Sequence, residues 1–344
     1  MAVRNNILPV NLVFKFILLA SLITENIDLA GAWLGVNFGE DGDNLPSRTD
    51  VVKKLTDIGM KQVRIYHTYA ETMSAFANSG IDLIIGISND DFMTVLADVN
   101  SSLNWLNTNV VPYPNTNVVT ITVGNEVFAS DSELLIAALL PSMENLYSAL
   151  QQLALDDITV TTAHAFDVMG VSYPPSAGAF KSEYLSTMTG IAEFLSRTGS
   201  FVFVNFYPYF TYEADKTNVQ LSYALLGSGY LVDSGNGKVY INLLAQAVDA
   251  VYTALTAVGY GDLVVRVSEI GWPSGGGDDA TVANAQTHNQ NLVALVEEGT
   301  PLKPDNKVDA FLFAMFNENL KAAGVEQNWG LYYPNLTEVY HIDF

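Results

Sequence analysis

The segment Val118-Val119-Thr120-Ile121-Thr122-Val123-Gly124-Asn125-Glu126 decides the reading of the fold. Its first six residues are all β-branched and uncharged, which favours an extended strand over a helix. Such runs suit a parallel sheet covered on both faces. Working outward, similar runs recur at 34–38, 62–66, 83–87, 158–163, 201–206, 263–268 and 310–316. Helical patterns lie between them, at 49–58, 132–153, 239–257 and 281–298. In the second, Leu135, Ala138, Leu139 and Ser142 continue toward Leu146 and Leu150 at helical spacing, with Ser132 placed to cap it. Eight strands alternating with helices predict an α/β fold, a (β/α)8 TIM barrel of one domain with an open groove at its C-terminal face. An open doubly wound sheet is the competing architecture. In the barrel, chemistry collects at the C-terminal strand ends, which directs the search to those positions.

Two strand ends carry a carboxylate. The run 118–123 leads into Gly124-Asn125-Glu126, and the run 263–268 leads into Glu269-Ile270-Gly271-Trp272. As fourth and seventh strands of a barrel they would set the two glutamates across its mouth. A single Glu there often only caps a helix or pairs with a surface Lys. The pair, set among Asn, Gly and Trp, fits glycoside hydrolysis, in which one carboxyl donates a proton and the other attacks carbon or activates water. The residues alone do not divide these two roles. Asn125 is placed to hydrogen-bond a sugar hydroxyl. The sixth strand ends in Asn205-Phe206-Tyr207-Pro208-Tyr209-Phe210, where a phenol can orient a carboxylate and rings can stack on sugars. Tyr66 and Trp272 also stand at strand exits, and His67 follows Tyr66. The eighth strand ends in Phe316-Asn317-Glu318-Asn319, with Lys321 shortly after. Glu318 and Lys321 are either a supporting pair of the cleft or an ordinary salt bridge.

Composition excludes other classes. The 344 residues contain 15 Lys and Arg, 37 Asp and Glu and no Cys, for a net charge of −22. No basic patch offsets that charge, so nucleic acids and anionic membranes are poor partners. Without cysteine there is no disulfide, thiolate-zinc site or thiol nucleophile. The four histidines lack ligand spacing, so neither metal nor other cofactor is expected. The Gly275-Gly276-Gly277 run lacks the Lys of a phosphate loop and reads as a flexible loop.

Residues 1–32 read as a secretory signal. Arg4 and Lys15 supply positive charge, the stretch 14–23 is largely apolar, and Ala30-Gly31-Ala32 places small residues before a cut at Trp33. The apolar stretch is too short to span a bilayer. Residues 33–344 are then the barrel, expected as a soluble monomer that is extracellular or in the cell wall, with the vacuole as the alternative. The C-terminal Tyr340–Phe344 lacks the apolar tail of a lipid-anchor signal, and Asn100 and Asn335 head glycosylation sequons.

Together these residues resemble a known family. The motifs Leu34-Gly35-Val36-Asn37-Phe38-Gly39, Val63-Arg64-Ile65-Tyr66, Val123-Gly124-Asn125-Glu126, Tyr173-Pro174-Pro175-Ser176-Ala177-Gly178, 205–210, 268–274, and 316–321 with Asn328-Trp329-Gly330-Leu331-Tyr332 are similar to plant-type β-1,3-glucanases of glycoside hydrolase family 17. The resemblance implies a β-1,3-glucan substrate and a retaining double displacement. By it, Glu126 is the acid/base, Glu269 the nucleophile, Tyr207 a support for the nucleophile, and Glu318 and Lys321 polar residues of the cleft. It leaves mixed-linkage 1,3;1,4-β-glucan hydrolysis and glucan transglycosylation as alternatives, and a non-catalytic glucan-binding wall protein as the rival from another class. It also leaves open a role in defence or in wall remodelling. Asn37 stands where many members have Cys, His67 where many have Asp, and Ile270 where Thr is usual.

Overall fold

The computed structural model describes residues 34–344; the expected signal over residues 1–32 lies outside them. Eight strands form a closed barrel: β1 (Leu34–Phe38), β2 (Gln62–Ile65), β3 (Asp82–Ile87), β4 (Val118–Asn125), β5 (Thr159–Ala165), β6 (Val202–Asn205), β7 (Val265–Ile270) and β8 (Ala310–Leu312). Each pairs in parallel with its sequence neighbour, and β8 returns to β1 with Leu34 opposite Ala310. Closure leaves no free edge and removes the open-sheet alternative.

Several of the longer helices between strands start where a side chain caps them. Ser132 accepts from Leu135 N, Asn242 from Ala245 N and Thr281 from Asn284 N, each satisfying an amide that the helix leaves unpaired. The helix expected at 239–257 begins later, at Leu243–Ala257. Val239–Tyr240 pairs instead with Leu231–Val232 as a short antiparallel hairpin, and Asn242 supplies the cap. Strand β8 ends earlier than expected. Past Leu312 the amides of Phe313, Ala314 and Met315 donate in turn to Ile270, Trp329 and Asn37, so no single neighbouring strand continues the ladder.

Inside the barrel, Ile84, Ala163, Phe201, Phe203 and Phe311 make an apolar plug. The rings of Phe203 and Phe311 meet edge to face at 5.7 Å. Gly35 makes this possible, because a Cβ there would lie 2.3 Å from the Phe311 ring. Above the plug the lining turns polar, with Asn37, Arg64, Asn205, Ser268 and Glu269 all buried. The Gly275–Gly277 loop is packed rather than open: a Cβ on Gly276 would meet the Gly324 backbone at 2.3 Å. Among the described residues no helix is long and apolar enough to cross a membrane.

Candidate active site

The β4 end is shaped by backbone conformation. Gly124 has φ +66°, and a Cβ there would strike Val127 at 2.5 Å. Glu126 follows with φ 53° and ψ 38°, a left-handed conformation that costs a non-glycine residue about 1–2 kcal/mol. Surrounding bonds hold it there. Glu126 N donates to Ala163 O at 2.8 Å, and Asn205 Nδ2 donates to Glu126 Oε1 at 2.9 Å. Asn89 clamps the preceding residue in both directions, accepting from Asn125 N at 2.9 Å and donating to Asn125 O at 2.8 Å.

Glu269 lies within β7 rather than past its end. The register against β6 shifts between Val267 and Glu269, which pairs Glu269 with Asn205. Its side chain sits inside the barrel mouth and accepts three hydrogen bonds. Arg64 Nη1 reaches Oε1 at 2.7 Å, Tyr66 O–H reaches Oε1 at 2.8 Å, and Tyr207 O–H reaches Oε2 at 2.6 Å. Arg64 also donates through Nη2 to Asn125 Oδ1 at 2.8 Å. Asn205 Nδ2 touches the same Asn125 oxygen at 3.2 Å, and its own oxygen accepts from Ser268 Oγ at 2.6 Å. One network therefore runs from Tyr207 through Glu269, Arg64, Asn125 and Asn205 to Glu126.

This network treats the two carboxyls differently. Glu269 faces one guanidinium and two phenols, three donors of which one is charged. Burial works against the Arg64 charge, but Tyr66 and Glu269 outweigh it and raise its pKa, so it stays charged. Burial, then the Glu269 charge, hold the Tyr66 and Tyr207 phenols well above their ordinary range, so both remain donors. Glu126 has one neutral donor. Burial first, and the nearby Glu269 charge second, raise its pKa above the usual carboxylate range, against the opposing effects of Asn205 and Arg64. The two carboxyls of the pair therefore stand in unlike surroundings, which is what acid-assisted displacement at an acetal carbon asks of its two carboxyl groups.

Glu269 and Phe313 separate two open cavities. The first, about 310 Å³, is the more polar of the two and is lined by Glu40, Asp41, His67, Ser88, Asn89 and Lys321 among others. The second, about 420 Å³, holds Glu126 beneath a wall of Phe166, Phe206, Tyr207, Phe210 and Trp329. The first half is thus richer in hydrogen-bonding side chains and the second in ring faces.

The structure brings together Glu126, Glu269, Tyr66, Asn125, Asn205 and Tyr207. Tyr66 lines the polar cavity, but its ring lies against the Arg64 guanidinium at 4.6 Å. Glu318 is buried behind Lys321, accepting from Lys321 Nζ at 2.9 Å and from Asp41 N at 2.8 Å. Only Lys321 of the two reaches the cavity wall, its ammonium 4.3 Å from the Phe313 ring centroid. Trp272 is a correction. It is fully buried, packed on Tyr209, Tyr212 and His288, with Nε1 donating to Asp279 O. The chain turns after Ile270 and carries the indole away from the mouth into the layer of side chains outside the barrel. Four residues beyond those expected from the strand ends belong to the site: Arg64, Asn89, Ser268 and Asn37. Arg64 has a visible signal, a lone cation inside an otherwise uncharged strand.

A sequence model described as glycosyl hydrolases family 17 matches residues 34–344. The chain is 42% identical over 322 residues to glucan endo-1,3-beta-glucosidase 11 of Arabidopsis thaliana, covering 90% of this chain and 75% of that protein. Among solved structures it is similar to CJP38, a beta-1,3-glucanase and pollen allergen of Cryptomeria japonica, at 40% identity and a TM-score of 0.87, covering 91% of this chain and 99% of that one. It is also similar to one of two plant beta-glucan endohydrolases with distinct substrate specificities, at 38% identity and a TM-score of 0.86, covering 90% and 100%. With a closed barrel, a carboxyl pair at its mouth and a family match over every described residue, the chain belongs to glycosyl hydrolases family 17.

Proposed function

We propose that this chain is a retaining endo-β-1,3-glucanase in which Glu126 is the acid/base and Glu269 the nucleophile. The observation that carries the assignment of roles is the inequality of donors: three on Glu269, one of them charged, against a single amide on Glu126. Glu269 Oε1 is occupied by two donors and Oε2 by one, so Oε2 is the oxygen free to attack. In the first step Oε2 bonds to the anomeric carbon. The bond to the leaving oxygen breaks, its electron pair goes to that oxygen, and Glu126 supplies the proton. In the second step water attacks the same carbon and gives a proton to Glu126, and the ester electrons return to Glu269.

The polar cavity suits the sugar being transferred, whose hydroxyls need partners, and the ring-lined cavity suits the departing chain through stacking. The β-1,3 linkage is supported by the names of relatives in both comparisons. The barrel itself does not discriminate linkages, since endohydrolases of distinct specificity share it. The leader-like residues 1–32 support secretion, to the wall or extracellular space or to the vacuole, where a neutral glucan needs no attraction to a chain of charge −22.

The test is an assay of purified protein on linear β-1,3-glucan and on mixed-linkage β-glucan, with products separated by size and the first-formed anomer followed by proton NMR. A ladder of β-anomeric oligomers from the linear glucan is expected. Products only from the mixed-linkage polymer would reassign the linkage, longer products would indicate transfer to sugar acceptors, α-anomers would overturn retention, and binding without products would overturn the enzyme reading.

A further inference from the structure

Asn37 lies on β1, fully buried beneath Glu269, at a position to which neither the strand-end chemistry nor the two cavities give a role. Its amide orientation is dictated by its surroundings. Nδ2 sits 3.1 Å from Ser268 O and 3.2 Å from both Phe311 O and Leu312 O. Reversing the amide would press an oxygen against three carbonyls, so the nitrogen must face them. Oδ1 is thereby aimed at the Tyr66 hydroxyl, 3.0 Å away.

That contact creates a competition. The Tyr66 hydroxyl carries one proton and stands within reach of two acceptors, Glu269 Oε1 at 2.8 Å and Asn37 Oδ1 at 3.0 Å. Both acceptors are fixed, and the phenol cannot serve both at once. When Glu269 is an anion, the carboxylate is the stronger acceptor. When Glu269 becomes a neutral ester, that advantage disappears, and the amide oxygen is the better partner.

We propose that Asn37 is a positioning residue that receives the Tyr66 proton as Glu269 loses its charge, and so stabilises the glycosyl-enzyme and the transition state leading to it. This rests on the assignment of Glu269 as nucleophile. The O–H bond of Tyr66 is not broken; it rotates from Glu269 Oε1 to Asn37 Oδ1. Without the second acceptor, the phenol would keep donating to Glu269 while its negative charge is being used to form the new bond, and would then face only a weak ester acceptor. Asn37 therefore assists formation of the intermediate and gives no help to its breakdown, in which the carboxylate charge returns. Its Nδ2 meanwhile ties β1 to β7 and β8, a separate and purely structural duty.

The two duties are separable by experiment. Asn37→Cys keeps a small buried side chain whose sulfur is a weak acceptor. It is compared with Tyr66→Phe and with the double variant, using an aryl β-1,3-glucan oligoside with a good leaving group. For such a substrate kcat/KM reports formation of the glycosyl-enzyme, and kcat reports its breakdown. In Asn37→Cys, kcat/KM should fall about two- to twelvefold, the worth of one neutral hydrogen bond, while kcat is not reduced. In the Tyr66→Phe background the same substitution should leave kcat/KM unchanged within about twofold, because there is no proton left to share. The melting temperature should drop in both backgrounds, reporting the loss of the Nδ2 bonds. Equal losses in kcat and kcat/KM, or a full loss of kcat/KM in the Tyr66→Phe background, would overturn the proposal and leave the nucleophile assignment standing. If Asn37→Cys does not fold, Asn37→Ala, which has no acceptor at all, replaces it in the same cycle, with the same expected and overturning results. A wild-type protein that does not turn over the oligoside overturns both.

Discussion

Arg64 and Glu269 form an ion pair inside the barrel mouth, Nη1 to Oε1 at 2.7 Å, with side chains only 1% and 6% exposed. A pair so fully withdrawn from water depends on both partners, because removing one strands the other charge. Arg64→Met should therefore cost about 3–5 kcal/mol in chemical denaturation. It should also lower kcat/KM steeply. Arg64→Lys should recover part of the stability and little of the activity. An ammonium keeps the charge, but a single nitrogen cannot reproduce the fork that reaches Glu269 Oε1 and Asn125 Oδ1 together. Full activity in the lysine variant would show that the charge alone matters.

As the proposed acid/base, Glu126 should set the alkaline side of the pH profile. Its pKa is raised, chiefly by burial and then by the Glu269 charge, so it keeps its proton to higher pH than an ordinary glutamate. The proton is needed at the leaving oxygen, so kcat/KM should fall as pH rises through that raised value. Glu126→Gln should lose this limb altogether. Its rate on glucan should drop about 10²- to 10⁴-fold, and far less on an oligoside whose leaving group needs no proton. The check is the pH dependence of kcat/KM on both substrates. An alkaline limb that survives the substitution would assign it to another group.

Much of the fold is legible in the sequence, and what is not has a physical reason. The β-branched run at 118–123 and its counterparts announce eight strands, because a strand buried on both faces leaves a contiguous uncharged signature. Glu126 and Glu269 stand out because each interrupts such a run. Register is different. A shift between Val267 and Glu269 draws Glu269 into β7, and nothing in the residues marks a bulge. The hairpin at Val239–Tyr240 is hidden because its residues are as compatible with a helix start as with a strand, and only Asn242 marks the boundary. The place of Trp272 is not legible, because an aromatic at a strand exit can turn inward to stack or outward to pack. That choice depends on Tyr209, Tyr212 and His288, which are distant in the chain or on another element. Asn37 is visible only as a departure from relatives; its relation to Tyr66 is set across two strands.

Trp272 and Phe210 should respond oppositely to truncation. Trp272 is completely buried, whereas Phe210 is 44% exposed on the wall of the ring-lined cavity. Trp272→Ala leaves a cavity in the packed layer and removes one of the donors to the Asp279 carbonyl, so it should cost about 3–5 kcal/mol of stability with little change in KM for the folded fraction. Phe210→Ala removes a ring face proposed to stack on sugar, so KM for glucan should rise several-fold with the melting temperature nearly unchanged. Thermal melts together with steady-state kinetics on the polymer separate the two. A raised KM in Trp272→Ala at full stability would return that residue to the cleft.

His164 makes the acid stability of the barrel measurable. It is 2% exposed on β5, its ring centroid lies 5.4 Å from that of Phe128, and neither ring nitrogen has a hydrogen-bond partner among the described residues. Burial pushes its pKa down from 6.5 to about 4. The unfolded chain therefore takes up this proton at higher pH than the folded one. The neutral ring costs nothing above pH 6.5, and stability is lost as the pH falls from there toward 4. The upper bound on that loss is on the order of 3 kcal/mol. Glu40, Glu126 and Asp249 work in the opposite direction, since burial raises their pKa values and their folded forms gain from protonation. The raw pH profile mixes these contributions, but the difference between wild type and His164→Leu isolates one. That difference should be constant above pH 6.5 and should shift in favour of the leucine variant below it. A difference that stays flat down to pH 4 would mean that the folded barrel accommodates the imidazolium, and that His164 has a proton acceptor within reach.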